Sequence, residues 1–284
     1  MIFGPSHIVL GSVDPDADRR LFESMGWTVA FQESALPTHP SKRRFMVGDS
    51  DAQALVFCQP PGSGLAVELI RYRSALPAAD SPLQLVLPRP PQGFAEGGDV
   101  GKDQWPPSLG EPPPVIAAPP GLTAPLWFAA TDGTVGTLVH VVTDLPRALR
   151  FWCQGLGFAV DGVAPGWARL RFPGLRPAWR TRLLLIARAG RMVPPELDGA
   201  GYRCLSFLCS ALHESRVRVL AAGGLGSTGA MEVSVGGRRL QLDIIAGPDG
   251  VLVELAQPVP SAPRPNRPQD QSDGHVGHQA RYPH

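Results

Sequence analysis

The chain has 284 residues, 43% of them hydrophobic, with 26 basic against 25 acidic side chains and 32 each of Gly and Pro. That length allows one large domain or two ordinary ones with a real core. The near-zero net charge argues against a nucleic-acid or membrane-surface partner, both of which favour a basic face. The Gly and Pro excess points to many turns and at least one segment outside the core.

In chain order, residues 1–75 read as one unit. Ser6–Val13 is strand-like, and Asp14-Pro15 is an N-cap followed by Pro at the first helical position. Leu21, Phe22 and Met25 recur at helical spacing over 15–25, and Gly26 stops the helix. Strands are expected at Trp27–Gln32, at Arg44–Val47 continuing to Ala54–Cys58, and at Leu65–Arg71. Residues 76–135 are Pro- and Gly-rich, with a loop or disordered excursion over Gly97–Pro114. Two apolar runs flank it, Leu83–Leu87 and Leu126–Ala129. They are either parts of a long linker or the first and last strands of an eroded module.

The opening pattern restarts at 136. Thr137–Thr143 is apolar and β-branched, Asp144 caps a helix, and Ala148, Leu149, Phe151, Trp152 and Leu156 form its core face. Strands follow at Phe158–Asp161, Trp167–Phe172 and Arg182–Ala187. A third copy runs from strand Tyr202–Leu208 through a helix over 211–222 to strands at Met231–Val235, Arg239–Ile244 and Val251–Ala256. Such repeats are supersecondary units that need a neighbour to bury their sheet face. The 258–284 tail reads as disordered, with His275, His278 and His284 solvated.

Cys58, Cys153, Cys204 and Cys209 lie in apolar stretches without metal-ligand spacing and read as reduced core thiols. With no signal-like apolar region near the N-terminus and no apolar run of spanning length, a cytoplasmic location is expected. No GxSxG motif marks a hydrolase nucleophile.

Asp144-Leu145-Pro146 with Phe151-Trp152 and Gly155-Leu156-Gly157-Phe158 resembles the first-helix signature of the vicinal oxygen chelate superfamily. That superfamily includes glyoxalase, bleomycin-resistance proteins and extradiol dioxygenases. Pro248-Asp249-Gly250 leading into Leu252-Val253-Glu254-Leu255 is similar to its closing hairpin, and Ala66–Ile70 to the closing strand of the first module. The resemblance covers about 1–72 and 136–257. It implies an α+β fold of repeated βαβββ modules, their mixed sheets curled into incomplete barrels with helices outside, and 136–257 forming a paired unit. It also implies a cavity whose metal ligands, His or Gln and then Glu, come from the first and last strands of each module.

His7 stands seven residues before Asp14, at the implied first-strand position, and Glu68 stands at the closing-strand position of the same module. His140 is only four residues before Asp144, so Thr137 takes that place in the second module and His140 faces away. In the third module the place falls near Arg203 or Cys204, and Glu254 is the closing-strand carboxylate. The resemblance thus implies His7, Glu68 and Gln84 as ligands of a divalent ion (Fe, Mn, Ni or Zn). Glu254 would be the proton-transferring carboxylate, joining them only if the halves share a cavity. The activity implied is that of a lyase, isomerase or dioxygenase on a small molecule with vicinal oxygens. The alternative is a metal-free binding protein of the bleomycin-resistance type, with Trp152, Trp167, Trp179, Arg169, Arg171, Arg180 and Arg182 lining a cleft. No nucleic acid or membrane is expected as partner, and a homodimer is left open.

Overall fold

The structure is a computed structural model describing residues 1–62, 64–73, 81–87, 115–116, 126–128, 137–174, 181–190 and 194–260. The expected loop at Gly97–Pro114, Trp179, Arg180 and the tail histidines lie outside them. Strand β1 (Ile2–Gly11) leads into helix α1 (Pro15–Ser24). The Asp14 carboxylate caps α1 by accepting from the Ala17 amide at 3.0 Å, and Gly26 leaves the helix at φ 81°. Strands β2 (Thr28–Pro37), β3 (Ala52–Gln59) and β4 (Ala66–Tyr72) complete the first module. The strand expected at Arg44–Val47 is instead the end of a 3-10 helix, Pro40–Phe45, entered through Pro40. Proline pre-sets the helical φ there, outweighing the apolar residues that suggested a strand.

Next come β5 (Leu83–Leu87), β6 (Val115–Ile116) and β7 (Leu126–Phe128). The second module holds β8 (Thr137–Val142), α2 (Leu145–Leu149), β9 (Ala159–Ala164), β10 (Trp167–Arg171) and β11 (Arg182–Ala187). The third holds β12 (Gly201–Cys209), α3 (Leu212–Ala221), β13 (Gly226–Ser227), β14 (Met231–Val235), β15 (Arg238–Ala246) and β16 (Leu252–Pro258).

In each module the first strand lies parallel to the last, β1 with β4, β8 with β11 and β12 with β16. Strand β5 repeats this by pairing parallel to β7. All strands belong to one mixed sheet in which β1 pairs antiparallel with β12, β5 pairs antiparallel with β8, and β12 touches β5 only at Tyr202 and Leu83. The sheet is not closed into a barrel, and the fold is α+β as the modules imply. Module one therefore curls together with module three, and module two with the β5–β7 unit.

The larger core lies between helices and sheet, built on Ile8, Phe22, Phe151, Trp152, Phe207 and Leu255. A π-helical turn, Arg150–Gly155, continues α2, with the Leu156 amide reaching back to Phe151 O at 3.2 Å. A second cluster fills the inside of the module-one and module-three curl with Val9, Ile70, Tyr72, Leu242, Ile244 and Leu252.

Candidate functional site

Alternation along four neighbouring strands turns one polar row into that apolar interior. His7 of β1 stands opposite Ser206 of β12, Val9 pairs with Glu68 of β4, and Ser206 pairs with Glu254 of β16. His7 Nε2 lies 3.1 Å from Glu68 Oε2 and 3.9 Å from Glu254 Oε1, with the three side chains only 12–15% exposed. Glu254 is expected beside His7 only if the halves of the chain share a cavity, and the β1–β12 pairing brings the two side chains together.

The ring of His7 is held by its neighbour in sequence. Ser6 Oγ donates to the Ser206 carbonyl at 3.3 Å, so it accepts from His7 Nδ1 at 3.0 Å. That places the lone pair of the neutral imidazole on Nε2, facing the carboxylates. Nε2 is buried, with the Glu68 carboxylate beside it. Burial pushes the His7 pKa down. The Glu68 contact and the charges of Glu68 and Glu254 outweigh it, so His7 titrates above its usual range. Burial raises Glu254, opposed by His7, and Ser206 Oγ donates to Glu254 Oε1 at 2.8 Å.

The third-module counterpart of His7 is Cys204. It lies opposite Val9 just as His7 lies opposite Ser206, seven residues before the α3 cap at Ala211. Burial, with the charges of Glu254 and Glu68, keeps its thiol protonated.

Gln84 is not part of this cluster. It lies on β5 opposite Val139 of β8, and β5 reaches β12 only at Tyr202, four residues from Ser206. At ~3.3 Å per residue that is roughly 13 Å along the strand. The choice of Gln84 paired module one with the β5–β7 unit, whereas β1 pairs with β12. Its buried Oε1 instead shares a face with Val86, Val139, Leu184, Ile186 and Trp167.

His140 faces the helix side, wholly buried, accepting from Trp152 Nε1 at 3.2 Å. Trp152 is therefore core rather than cleft. On β10 and β11, Arg169 pairs with Asp161 at 3.1 Å, and exposed Arg171 and Arg182 stand opposite each other. All four cysteines are free.

Sequence reasoning missed the groups that close over the site. The 3-10 segment is clasped to the loop before β12. The Leu197 amide donates to Phe45 O at 2.6 Å, and the Val47 and Gly48 amides donate to Asp198 at 3.0 and 2.7 Å. The segment buries Phe45 in the curl and turns Lys42 inward. Only Tyr72 had a legible signal, since Glu68, Ile70 and Tyr72 share one strand face.

One imidazole nitrogen and two carboxylates from three strands suit a first-row divalent ion, and the buried Nε2 has its lone pair to give. Among the described residues, no three His, Cys, Asp or Glu side chains are already spaced as a metal site. Atoms sharing one ion at ~2.0–2.2 Å stand about 3 Å apart, a spacing that the 3.1 Å His7–Glu68 contact matches and the 3.9 Å His7–Glu254 separation exceeds. The donor set fits.

No protein-family model matches the sequence, and no curated protein matches it. Solved structures do. Glyoxalase I from Zea mays is similar at 17% identity over 89% of this chain and 92% of that one, with a TM-score of 0.54. A variant of that maize enzyme gives 0.56 at 16% identity, covering 89% and 93%. A candidate dioxygenase from Bacillus subtilis gives 0.54 at 12% identity, covering 91% and 86%. The chain thus has the fold of the vicinal oxygen chelate superfamily. Among the described residues no helix is long and apolar enough to cross a membrane.

Proposed function

We propose that this chain is a metal-dependent enzyme of the vicinal oxygen chelate type, in which His7, Glu68 and Glu254 hold a divalent ion and the substrate is a small molecule with adjacent oxygens. The observation that carries this reading is the meeting of one imidazole and two carboxylates from two modules inside an apolar curl. When bound, the ion would polarise two neighbouring oxygens as a Lewis acid. Glu254, raised by burial and steadied by Ser206, is suited to take a proton from a carbon beside such an oxygen and return it. The segment carrying Phe45 would exclude water during that transfer. The glyoxalase and dioxygenase names of the structural neighbours support an enzyme of this kind without fixing the reaction.

Elemental analysis of the purified chain after reconstitution tests the proposal, beside a His7→Ala/Glu68→Ala variant. About one divalent ion per chain, lost in the variant, is the expected result. A wild type that stays metal-free would sink it and turn attention to a metal-free binding protein. One observation favours that second reading. The His7 imidazole, with its raised pKa, can hold a proton between the two carboxylates where the ion would sit.

A further inference from the structure

Lys42 does not behave like an ordinary surface lysine. It lies on the 3-10 segment, is 7% exposed and reaches Gln53 Oε1 at 3.4 Å. Gln53 is itself buried and stands opposite Tyr72 across the β3–β4 ladder, on the face that carries Phe57 and Glu68. Phe57 packs edge-on against the His7 ring at 5.1 Å, so this face leads to the cluster.

The hydrogen-bonding inventory of this corner is unbalanced. An ammonium group has three donors to place, and the described residues offer it one amide oxygen and no carboxylate within ion-pair distance. The Tyr72 hydroxyl, buried beside Gln53, has no partner among the described residues. Burial, with the charges of Glu68, Cys204 and Glu254, keeps that phenol protonated and hence a donor. A buried positive charge without an adjacent counter-charge is costly. If a divalent ion is balanced by Glu68 and Glu254, as proposed above, the Lys42 charge is left over. Two unspent ammonium N–H groups, the Tyr72 hydroxyl and a positive charge whose one carboxylate neighbour in the field, Glu254, is already assigned to the ion call for an acceptor that is anionic.

The geometry points to Lys42, held at Gln53, and Tyr72, across the ladder from Gln53, as a binding site for a carboxylate on the substrate, set apart from its vicinal oxygens by a short apolar span. The span follows from Ile70, which lies between Glu68 and Tyr72 on the same strand face. This narrows the substrate class of the proposed reaction to hydroxy or keto compounds with a distal carboxylate, and it rests on that reading for the position of the oxygens.

Two probes isolate the distal group. 2-Hydroxyglutarate and 2-hydroxyvalerate share their vicinal oxygens and chain length, and only the first has a distal carboxylate. Calorimetric titration of the full chain, metal-free and Zn(II)-loaded, should show the diacid binding roughly tenfold or more tighter, as a charge-assisted pair predicts. Lys42→Met should bring the two acids to within about twofold while thermal melting and metal content stay unchanged. Lys42→Arg should retain most of the preference, and Tyr72→Phe should weaken it. Equal binding by the wild type, no binding of either acid, or a preference that survives Lys42→Met would overturn the assignment. If elemental analysis finds no metal yet the preference still vanishes with Lys42, the metal reading falls and the carboxylate site stands. A loaded metal centre with no preference for the diacid overturns the carboxylate site and leaves the metal reading in place.

Discussion

Ser6 and His7 form a unit in which a surface-type hydroxyl decides the chemistry of a buried ring. With its own proton donated to the Ser206 carbonyl, the hydroxyl accepts from Nδ1 and leaves the Nε2 lone pair as the one available to the proposed ion. Ser6→Ala should lower metal affinity by roughly ten- to a hundredfold, as loss of such orienting partners does, with the fold intact. Chelator competition measures it, and unchanged affinity would mean that something else orients the ring. The raised pKa sets a second expectation. The His7 proton competes with the metal, so apparent affinity should climb as pH rises through that pKa and level off once the ring is neutral. Glu68→Gln removes a charge that raises His7, so the remaining metal binding should turn on at lower pH. An affinity that falls with rising pH over the same range would contradict both the ligand and its environment.

At the scale of elements, β1 approaches the loop preceding β12 closely. A Cβ at Gly11 would lie 2.1 Å from the Gly199 carbonyl, a backbone atom with little freedom to move. Gly11→Ala should therefore cost about 1–3 kcal/mol through overpacking. It should also loosen the neighbouring Asp198 clasp on the Phe45 segment. Denaturant unfolding would read the first effect and amide exchange at Val47 and Gly48 the second. A fully stable variant would mean the two backbones part easily. On the helix side, Gly155 closes the π-turn against α3, where a side chain would meet Ala222 and Val219. That turn also carries Trp152, whose indole donates to His140. The 3-10 segment shows why Lys42 was not legible. Its inward turn follows from Pro40 and from contacts with Leu197 and Asp198, some 150 residues away, which no local spacing encodes.

For the whole molecule, the buried His140 links stability to acid. Burial lowers its pKa from 6.5 to about 4, partly opposed by Asp249. A depressed folded-state pKa contributes stability above pH 6.5 that is lost as pH falls towards 4. At ~1.4 kcal/mol for each tenfold change in proton affinity, the loss is about 3 kcal/mol. His140→Asn keeps an acceptor for Trp152 and should flatten stability across that interval, as urea unfolding at stepped pH would register. An equally steep acid limb in the variant would assign the loss to other groups.

The residues by themselves determined the modules. Asp14 and Asp144 followed by helical apolar spacing, Gly26 as a stop, and the alternation around Glu68 and Glu254 are local signals written within a dozen positions. Those same signals placed His7, Glu68 and Glu254 on strands and turned His140 away from them. What only the tertiary structure decided is which module faces which. A βαβββ unit exposes its first strand as a pairing edge, and any of the other first strands has a compatible ladder. The choice of β12 for β1 rests on side-chain packing summed along both strands and across the clasped loops. That choice brought Glu254 to His7, left Gln84 on a different face, put Cys204 in the remaining first-strand position, and folded Lys42 over a cluster whose members lie up to 247 positions apart in the chain.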